Sequence, residues 1–120
     1  MAAYVDGFVV PVPKKSLKAY RTLAKKFSKV WIEHGALSVH ECVADDVAMG
    51  KRTSFPRAVK LKPTETVVFS YITYKSRAQR NSCMKKVMKD KRIADMMSGT
   101  KMPFDAKRMI FGGFKTIVSA

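Results

Sequence analysis

The chain has 120 residues, of which 47% are hydrophobic, and its 24 lysine and arginine residues against 9 aspartate and glutamate residues give a net charge of +15. This length supports a single domain over residues 1–120 with an ordinary hydrophobic core, and the composition excludes disordered and collagen-like chains. No apolar run approaches the roughly 20 residues of a membrane-spanning helix, so we predict no membrane partner.

The first residues, MAAYVDGFVVPVPKK, do not resemble a secretion signal. No basic leader precedes the apolar stretch, and Asp6, Pro11 and Pro13 interrupt it. We therefore expect a cytoplasmic protein. Cys42 and Cys83 are too few for a disulfide framework and lack CxxC spacing, so we expect both to be reduced packing residues.

The first half of the chain predicts a strand, a helix and a second strand. Residues 3–12 are rich in β-branched and aromatic residues, which is typical of a strand. From Ser16 the apolar residues recur every three or four positions, which predicts an amphipathic helix that ends at Gly35. Residues 37–44 alternate as a second strand, and residues 45–56 read as an irregular loop.

The next segments predict a further strand and a broken helix. Residues 57–62 fit a short strand or an extended edge, and residues 66–74, TVVFSYITY, form the most strand-like segment of the chain. Ser76 can cap a second helix. The apolar phase of that helix slips near Asp90, so we predict a kink or a separate short helix there.

The end of the chain completes a recognisable order of elements. A loop over residues 98–103 leads to a last strand over residues 109–119, where Gly112 and Gly113 predict a bulge or a close contact. The order βαββαβ predicts an α+β, ferredoxin-like fold with a four-stranded antiparallel sheet and both helices on one face. The strands are apolar on both faces, so we predict that two copies cover the other face by forming a homodimer.

The positive charge is concentrated in the two predicted helical segments. Residues 14–33 contain seven basic residues and one acid, and residues 75–92 contain eight basic residues and one acid. This charge either forms a solvated surface that keeps the protein soluble or binds a polyanion such as RNA through non-specific charge. No stacking aromatic residue interrupts the basic stretch from Arg77 to Arg92, so sequence-specific recognition is not indicated.

Three polar residues fall at positions where the predicted core would hold apolar side chains. Asp6 lies in the first strand, Glu41 lies in the second, and His34 continues the apolar stripe of the first helix. An unpaired charge is costly to bury, so each needs a partner or a wet pocket. We predict His34, Asp6 and Glu41 as catalytic candidates, since a histidine oriented by a carboxylate can transfer a proton; the alternative is a hydrogen-bonded core histidine.

Neither a metal site nor a cofactor site is predicted. His40 and Cys42 share one strand face, but no third or fourth ligand accompanies them. The chain has no GxxxxGK[ST] or GxGxxG motif for a nucleotide.

A pocket under the first helix is predicted from its aromatic residues. Phe27, Trp31 and Tyr71, together with several methionines, would give a mostly apolar lining for a small organic ligand. Near the last strand, Asp105 and Arg108 have two interpretations. They can form an ion pair that pins the loop, or Arg108 can contact a ligand carboxylate or phosphate while Asp105 holds it in place.

Four long segments resemble one known family. YVDGFVVPVP, WIEHGALSVHECVADD, TSFPRAVKLKPTETVVFSYI and MPFDAKRMIFGGF are similar to the YbaA-like family of bacterial proteins, a domain of unknown function within the dimeric α/β-barrel superfamily. The resemblance implies a homodimer whose two sheets close into a barrel with the helices outside. It also implies a small organic ligand between sheet and helices, and by analogy a cofactor-independent oxidation of an acidic aromatic ligand. The polar motif positions are Asp6, His34, Glu41, Asp45, Asp46, Arg57, Asp105 and Arg108.

Overall fold

The sheet of this computed structural model has four antiparallel strands in the order β2-β3-β1-β4. The strands are β1 (Tyr4–Pro13), β2 (Ser38–Val43), β3 (Glu65–Tyr74) and β4 (Ile110–Lys115). The long central strands β1 and β3 pair along their whole length, from Tyr4 opposite Tyr74 to Pro13 opposite Glu65. The structure describes residues 2–98 and 102–120, so residues 99–101 of the predicted loop lie outside the described residues.

Four helices accompany the sheet. They are α1 (Leu17–Glu33), which follows a 3-10 turn (Lys14–Ser16), α2 (Phe55–Ala58), α3 (Arg77–Lys89) and α4 (Lys91–Met97). The Ser76 hydroxyl caps α3 by accepting from the backbone N–H of Gln79 at 3.0 Å. The predicted break is confirmed at Asp90, which ends α3 and caps α4 by accepting from the N–H of Arg92 at 2.9 Å. None of the described helices is both long and apolar enough to cross a membrane.

The prediction of a strand or extended edge over residues 57–62 is wrong. The Ser54 hydroxyl accepts from the backbone N–H of Arg57 at 3.1 Å, and Pro56 occupies the first turn of the helix that this cap begins. Serine followed closely by proline is a helix-start signal. Helix α2 therefore begins at Phe55 and ends at Ala58, and the chain turns at Lys60, which has a φ of 48°.

The two faces of the sheet have different surroundings. Helices α1, α3 and α4 pack on one face, where two apolar clusters form the main core. On the opposite face, which we call the open face, Val59 packs on Val9 and Val67 and covers one end of the sheet. The rest of the open face is exposed: Phe69 is 42% accessible and Phe114 is 63% accessible.

A buried polar network connects α3 to the two central strands. Asp6 is 5% exposed, and its carboxylate accepts from the Tyr74 hydroxyl at 3.0 Å and from Nη1 of Arg80 at 3.1 Å. Nη2 of Arg80 donates to the Tyr4 hydroxyl at 3.2 Å, and the guanidinium lies 5.0 Å from the centre of the Tyr4 ring. Burial raises the pKa of Asp6, while Tyr74 and Arg80 oppose that rise. The basic partner that a buried Asp6 requires is thus supplied by α3.

The two glycines of β4 lie in regular pairing. The register runs without interruption from Ile110 opposite Val9 to Lys115 opposite Tyr4, so the predicted bulge is absent. The predicted close contact is present at Gly113, where an added Cβ would overlap the Tyr4 hydroxyl and ring. Glycine at this position leaves room for the ring that the network above requires.

We expect Gly113→Ala to lower the free energy of unfolding by about 1–3 kcal/mol, because the new methyl group would displace Tyr4. Gly112→Ala is the matched control, since its Cβ would make only an ordinary contact, 3.8 Å from Phe114. Urea denaturation measures both. Equal losses in the two variants would contradict the role assigned to the contact with Tyr4.

Candidate ligand cavity

A cavity of about 270 Å³ lies between α1 and the sheet. Strands β1, β2 and β3 form its floor, α1 forms its roof, and α4 with residues 102–109 closes one side. Phe27 and Trp31 of α1 line it as predicted, with their rings edge to face at 6.1 Å. The methionines of its lining are Met88, Met97, Met102 and Met109. The sheet and helices therefore border a cavity of mostly apolar character that is partly open to solvent.

One carboxylate, that of Glu41, lines this apolar space. In α1, Tyr20 lies on the cavity face with Ala24 and Phe27, and its hydroxyl donates to Oε1 of Glu41 at 2.7 Å. The second carboxylate oxygen of Glu41 accepts no hydrogen bond from the described residues, whereas Ser70 stands opposite Glu41 in the pairing of β2 with β3. The Ser70 hydroxyl makes no hydrogen bond within the described part of the chain either, and it also lines the cavity.

Glu41 is exposed at the edge of the sheet, although protein atoms crowd one side of its carboxylate. A groove at the edge of the sheet, lined by Arg21 and Lys25 among others, approaches Glu41 from outside. Neither basic side chain forms a salt bridge with Glu41 among the described residues. Burial raises the pKa of Glu41, and the hydrogen bond from Tyr20 opposes part of that rise. Burial and the negative charge of Glu41 likewise raise the pKa of Tyr20.

Tyr71 does not line the cavity. Side chains alternate between the faces of a strand, and Tyr71 pairs with Gly7 and His40 at positions that point to the open face. There its ring stacks on the His40 imidazole with 4.8 Å between centres. The prediction grouped Tyr71 with the α1 aromatics on composition, whereas the odd-numbered positions of β3 face away from them.

His34 fastens the end of α1 to the junction of α3 and α4. Its Nε2 donates to Oδ2 of Asp90 at 2.8 Å, so its carboxylate partner is neither Asp6 nor Glu41, the other two predicted catalytic residues. Arg92 joins the same cluster, because its Nη2 donates to Asp90 at 2.8 Å and to Glu33 at 2.5 Å. The hydrogen bonds from Arg92 and His34 hold the pKa of Asp90 well below its usual range. His34 follows the last helical residue of α1 and lies outside the cavity lining, as Asp6 does.

Arg108 forms a loop clamp, the first of its two interpretations. Its Nη1 and Nη2 donate to the two carboxylate oxygens of Glu65 at 2.9 and 2.5 Å, and its Nε donates to Asp105 at 2.8 Å. Nη1 also donates to the backbone carbonyls of Val59 and Lys60. These bonds lower the pKa of Glu65 and of Asp105. The guanidinium thus binds the segment after α2 to the approach to β4, away from the cavity.

Tyr20 and Ser70 were missed as site residues, although the sequence contains a signal for each. Tyr20 begins the spacing Tyr20, Ala24, Phe27, which is one face of a helix. Ser70 lies between Val68 and Ile72 in the alternation of β3, so it shares their face. A hydroxyl among apolar neighbours on a core-facing position marks a polar point of the cavity wall.

Comparison with known proteins places these features in a family. Residues 3–106 match the family described as "Protein of unknown function (DUF1428)". The chain belongs to this family. It is 49% identical over 115 residues to "Uncharacterized protein YbaA" of Escherichia coli strain K12 and of Shigella flexneri, and the match covers 96% of this chain and 97% of each relative. The resemblance found in the sequence is therefore confirmed.

A solved structure shares the fold. It is a "dimeric ferredoxin-like protein" from an uncultured marine organism, with a TM-score of 0.59, 10% identity, and coverage of 98% of this chain and 99% of that one. At this identity the similarity concerns the fold alone. It confirms the ferredoxin-like α+β class.

We expect the stability of Glu41→Gln relative to the native sequence to increase as the pH rises. A raised pKa in the folded protein means that the neutral carboxyl is favoured on folding, and this stabilisation is lost as Glu41 ionises. The difference should grow from about pH 4.5, the ordinary value for glutamate, and level off above the raised pKa. Urea denaturation at fixed protein concentration and a series of pH values measures it.

Asp46→Asn, which removes a carboxylate from the exposed loop after β2, is measured beside it as the control for loss of a charge. The placement of Glu41 would be contradicted if the free energy of unfolding of Glu41→Gln fell, relative to that of the native protein, as the pH rises.

Proposed function

We propose that the protein binds a small, mostly apolar organic molecule in the cavity between α1 and the sheet. The observation that carries this proposal is a space of about 270 Å³ with apolar walls and a single carboxylate, Glu41, whose second oxygen has no partner among the described residues. Ligand pockets commonly combine apolar walls with a few polar anchors, and they begin at about 300 Å³. The geometry supports binding, and oxidation of the ligand stays a prediction of the family resemblance alone.

Methionine methyl groups provide a direct test of this proposal. The cavity methionines that serve for this test are Met102 and Met109, which are half-buried; Met49 lies in the exposed loop after β2, outside the lining. On addition of 2-phenylethanol, an apolar body with one hydroxyl, we expect saturable shifts of the cavity methionines in ¹³C-methyl NMR spectra. Met49 is the internal control and should not respond. Shifts spread equally over Met49 and the cavity residues, or no shifts, would contradict binding in the cavity.

We also propose that two copies of the chain pair through their open faces. Those positions of the four described strands carry no lysine or arginine, and they include exposed Phe69, Ile110 and Phe114. Pairing these faces would bury the exposed aromatics while keeping the basic helices of both copies on the outside. The solved structure of similar fold is described as dimeric, which agrees with this arrangement.

Phe69→Glu should convert the proposed dimer into a monomer, because a carboxylate would be placed where two apolar sheets meet. Ile32→Glu is the control: Ile32 is exposed on α1, so this variant should remain dimeric. Light scattering at micromolar concentration measures the mass, and circular dichroism verifies that each variant is folded. A native protein that is monomeric under these conditions would contradict the arrangement.

A polyanion-binding surface on the helices is the second candidate function. Of fifteen basic residues in segments 14–33 and 75–92, Arg80 and Arg92 form salt bridges. The other thirteen are exposed, and they form no salt bridge with any described residue. So many unpaired cations on one layer favour binding of RNA through its phosphates, independent of base sequence.

Salt titration tests this second function. We expect the affinity for a labelled single-stranded RNA to fall steeply with salt, and Lys25→Glu with Lys29→Glu to weaken it at least tenfold, because both charges point outward from α1. Lys51→Glu, in the loop after β2, is the control and should have a much smaller effect. Affinity that is insensitive to salt would contradict the proposal.

The cellular location completes the proposal. Both cysteines are free thiols, Cys83 buried and Cys42 exposed, so the packing prediction holds for Cys83 only. We propose a cytoplasmic location, where thiols remain reduced.

A further inference from the structure

We infer that the ligand of the cavity is an amine in its cationic form on an apolar body, with the ammonium group placed at Glu41. This inference rests on the proposed binding function and specifies the chemical class of the ligand. It differs from the acidic aromatic ligand that the family resemblance implies.

The charge of the cavity lining favours a cationic ligand. The described residues that line it include the Glu41 carboxylate and no lysine, arginine or histidine. The neutral hydroxyl of Tyr20 occupies Oε1 of Glu41 and contributes no positive charge. Glu41 is exposed on its outer side, and on its cavity side a ligand ammonium supplies the cation that the described walls lack. A ligand carboxylate would instead meet a like charge.

Several hydrogen-bond acceptors lie close to the Glu41 carboxylate. The pairing of β2 with β3 places Glu41 directly opposite Ser70, and side chains that stand opposite each other lie within about 5.5 Å at Cβ. Oε2 of Glu41 and the Ser70 hydroxyl oxygen are both without a partner among the described residues, and the Tyr20 oxygen can accept while its hydrogen is donated. An ammonium group has three donors, which this set of three oxygens matches.

The apolar walls of the cavity fit the part of the ligand that carries no charge. The walls around this polar point are formed by Phe8, Phe27 and Trp31, and by the methionines named above. The Trp31 Nε1 is buried without a hydrogen-bond partner among the described residues; the other aromatic and thioether side chains accommodate an aliphatic or aromatic body without hydrogen bonds. One polar head and an apolar body therefore describe the molecule that fits the lining.

The positive charge of the protein does not remove this preference. The exposed basic residues of the helices point to solvent, where salt screens charges over about 8 Å. Arg21 and Lys25 line the outer groove and are the nearest competitors for Glu41, but neither is paired with it among the described residues. The cavity side of the carboxylate thus remains available to a ligand.

Three probes with a similar phenyl body and different head groups test the inference: 2-phenylethylamine, 2-phenylethanol and 3-phenylpropionate. Their dissociation constants are measured at pH 7 by titration of the methionine methyl signals. We expect the amine to bind at least tenfold more tightly than the alcohol, and the acid to bind more weakly than the alcohol. Glu41→Gln should remove the preference for the amine while leaving the affinity for the alcohol within about twofold. Asp46→Asn removes the same charge from an exposed loop and should change neither.

The other possible results distinguish failure of the inference from failure of the proposed function. If the alcohol binds as tightly as the amine, if the acid binds most tightly, or if the amine preference survives in Glu41→Gln, the inference is overturned and the cavity remains a binding site. If no probe shifts the cavity methionines, the proposed function fails and the inference fails with it. Ser70→Ala is the second variant, to be used if Glu41→Gln does not fold. We expect it to weaken binding of the amine and not that of the alcohol. Equal weakening of both would count against the inference.

Discussion

The hydrogen bond from Tyr20 to Glu41 joins α1 to the edge strand β2 at the wall of the cavity. One turn after Tyr20, α1 packs through Ala24, which belongs to one apolar cluster with Val10 and Val12. Further along the helix, Val30 belongs to a second cluster. Residues of both clusters line the cavity, among them Ala24 of the first and Ile72 of the second. The polar pair of Tyr20 and Glu41 lies in the same lining.

The other ion pairs hold elements of the fold together. Asp6 and Arg80 fix α3 to the centre of the sheet, His34 and Asp90 fix the end of α1 to the α3–α4 junction, and Arg108 fixes two loops through Glu65. In each of these pairs a cation, or a donor that can become one, satisfies the carboxylate. Glu41 differs because its described partner is a neutral hydroxyl. Asp45, Asp46 and Asp95 also form no salt bridge among the described residues, but they lie outside the cavity lining. Glu41 is therefore the acid that we expect to meet a ligand.

Much of the fold could be predicted from the sequence because its signals are local. The alternation of TVVFSYITY predicts β3, and the cap at Ser76 and the phase slip at Asp90 predict the boundaries of α3 and α4. The site was harder to predict, because it depends on which face each strand turns to α1. Glu41 and Trp31 are on the cavity face, whereas Tyr71 is not. Nor can the partner of Arg108 be found locally, since Glu65 is 43 residues away in sequence.

A crystal structure of the protein with 2-phenylethylamine tests the account most directly. We expect density for the phenyl ring between α1 and the sheet. The nitrogen should lie within hydrogen-bond distance of the second carboxylate oxygen of Glu41. Density for the amine only at the protein surface, with the space under α1 filled by repacked side chains, would contradict it.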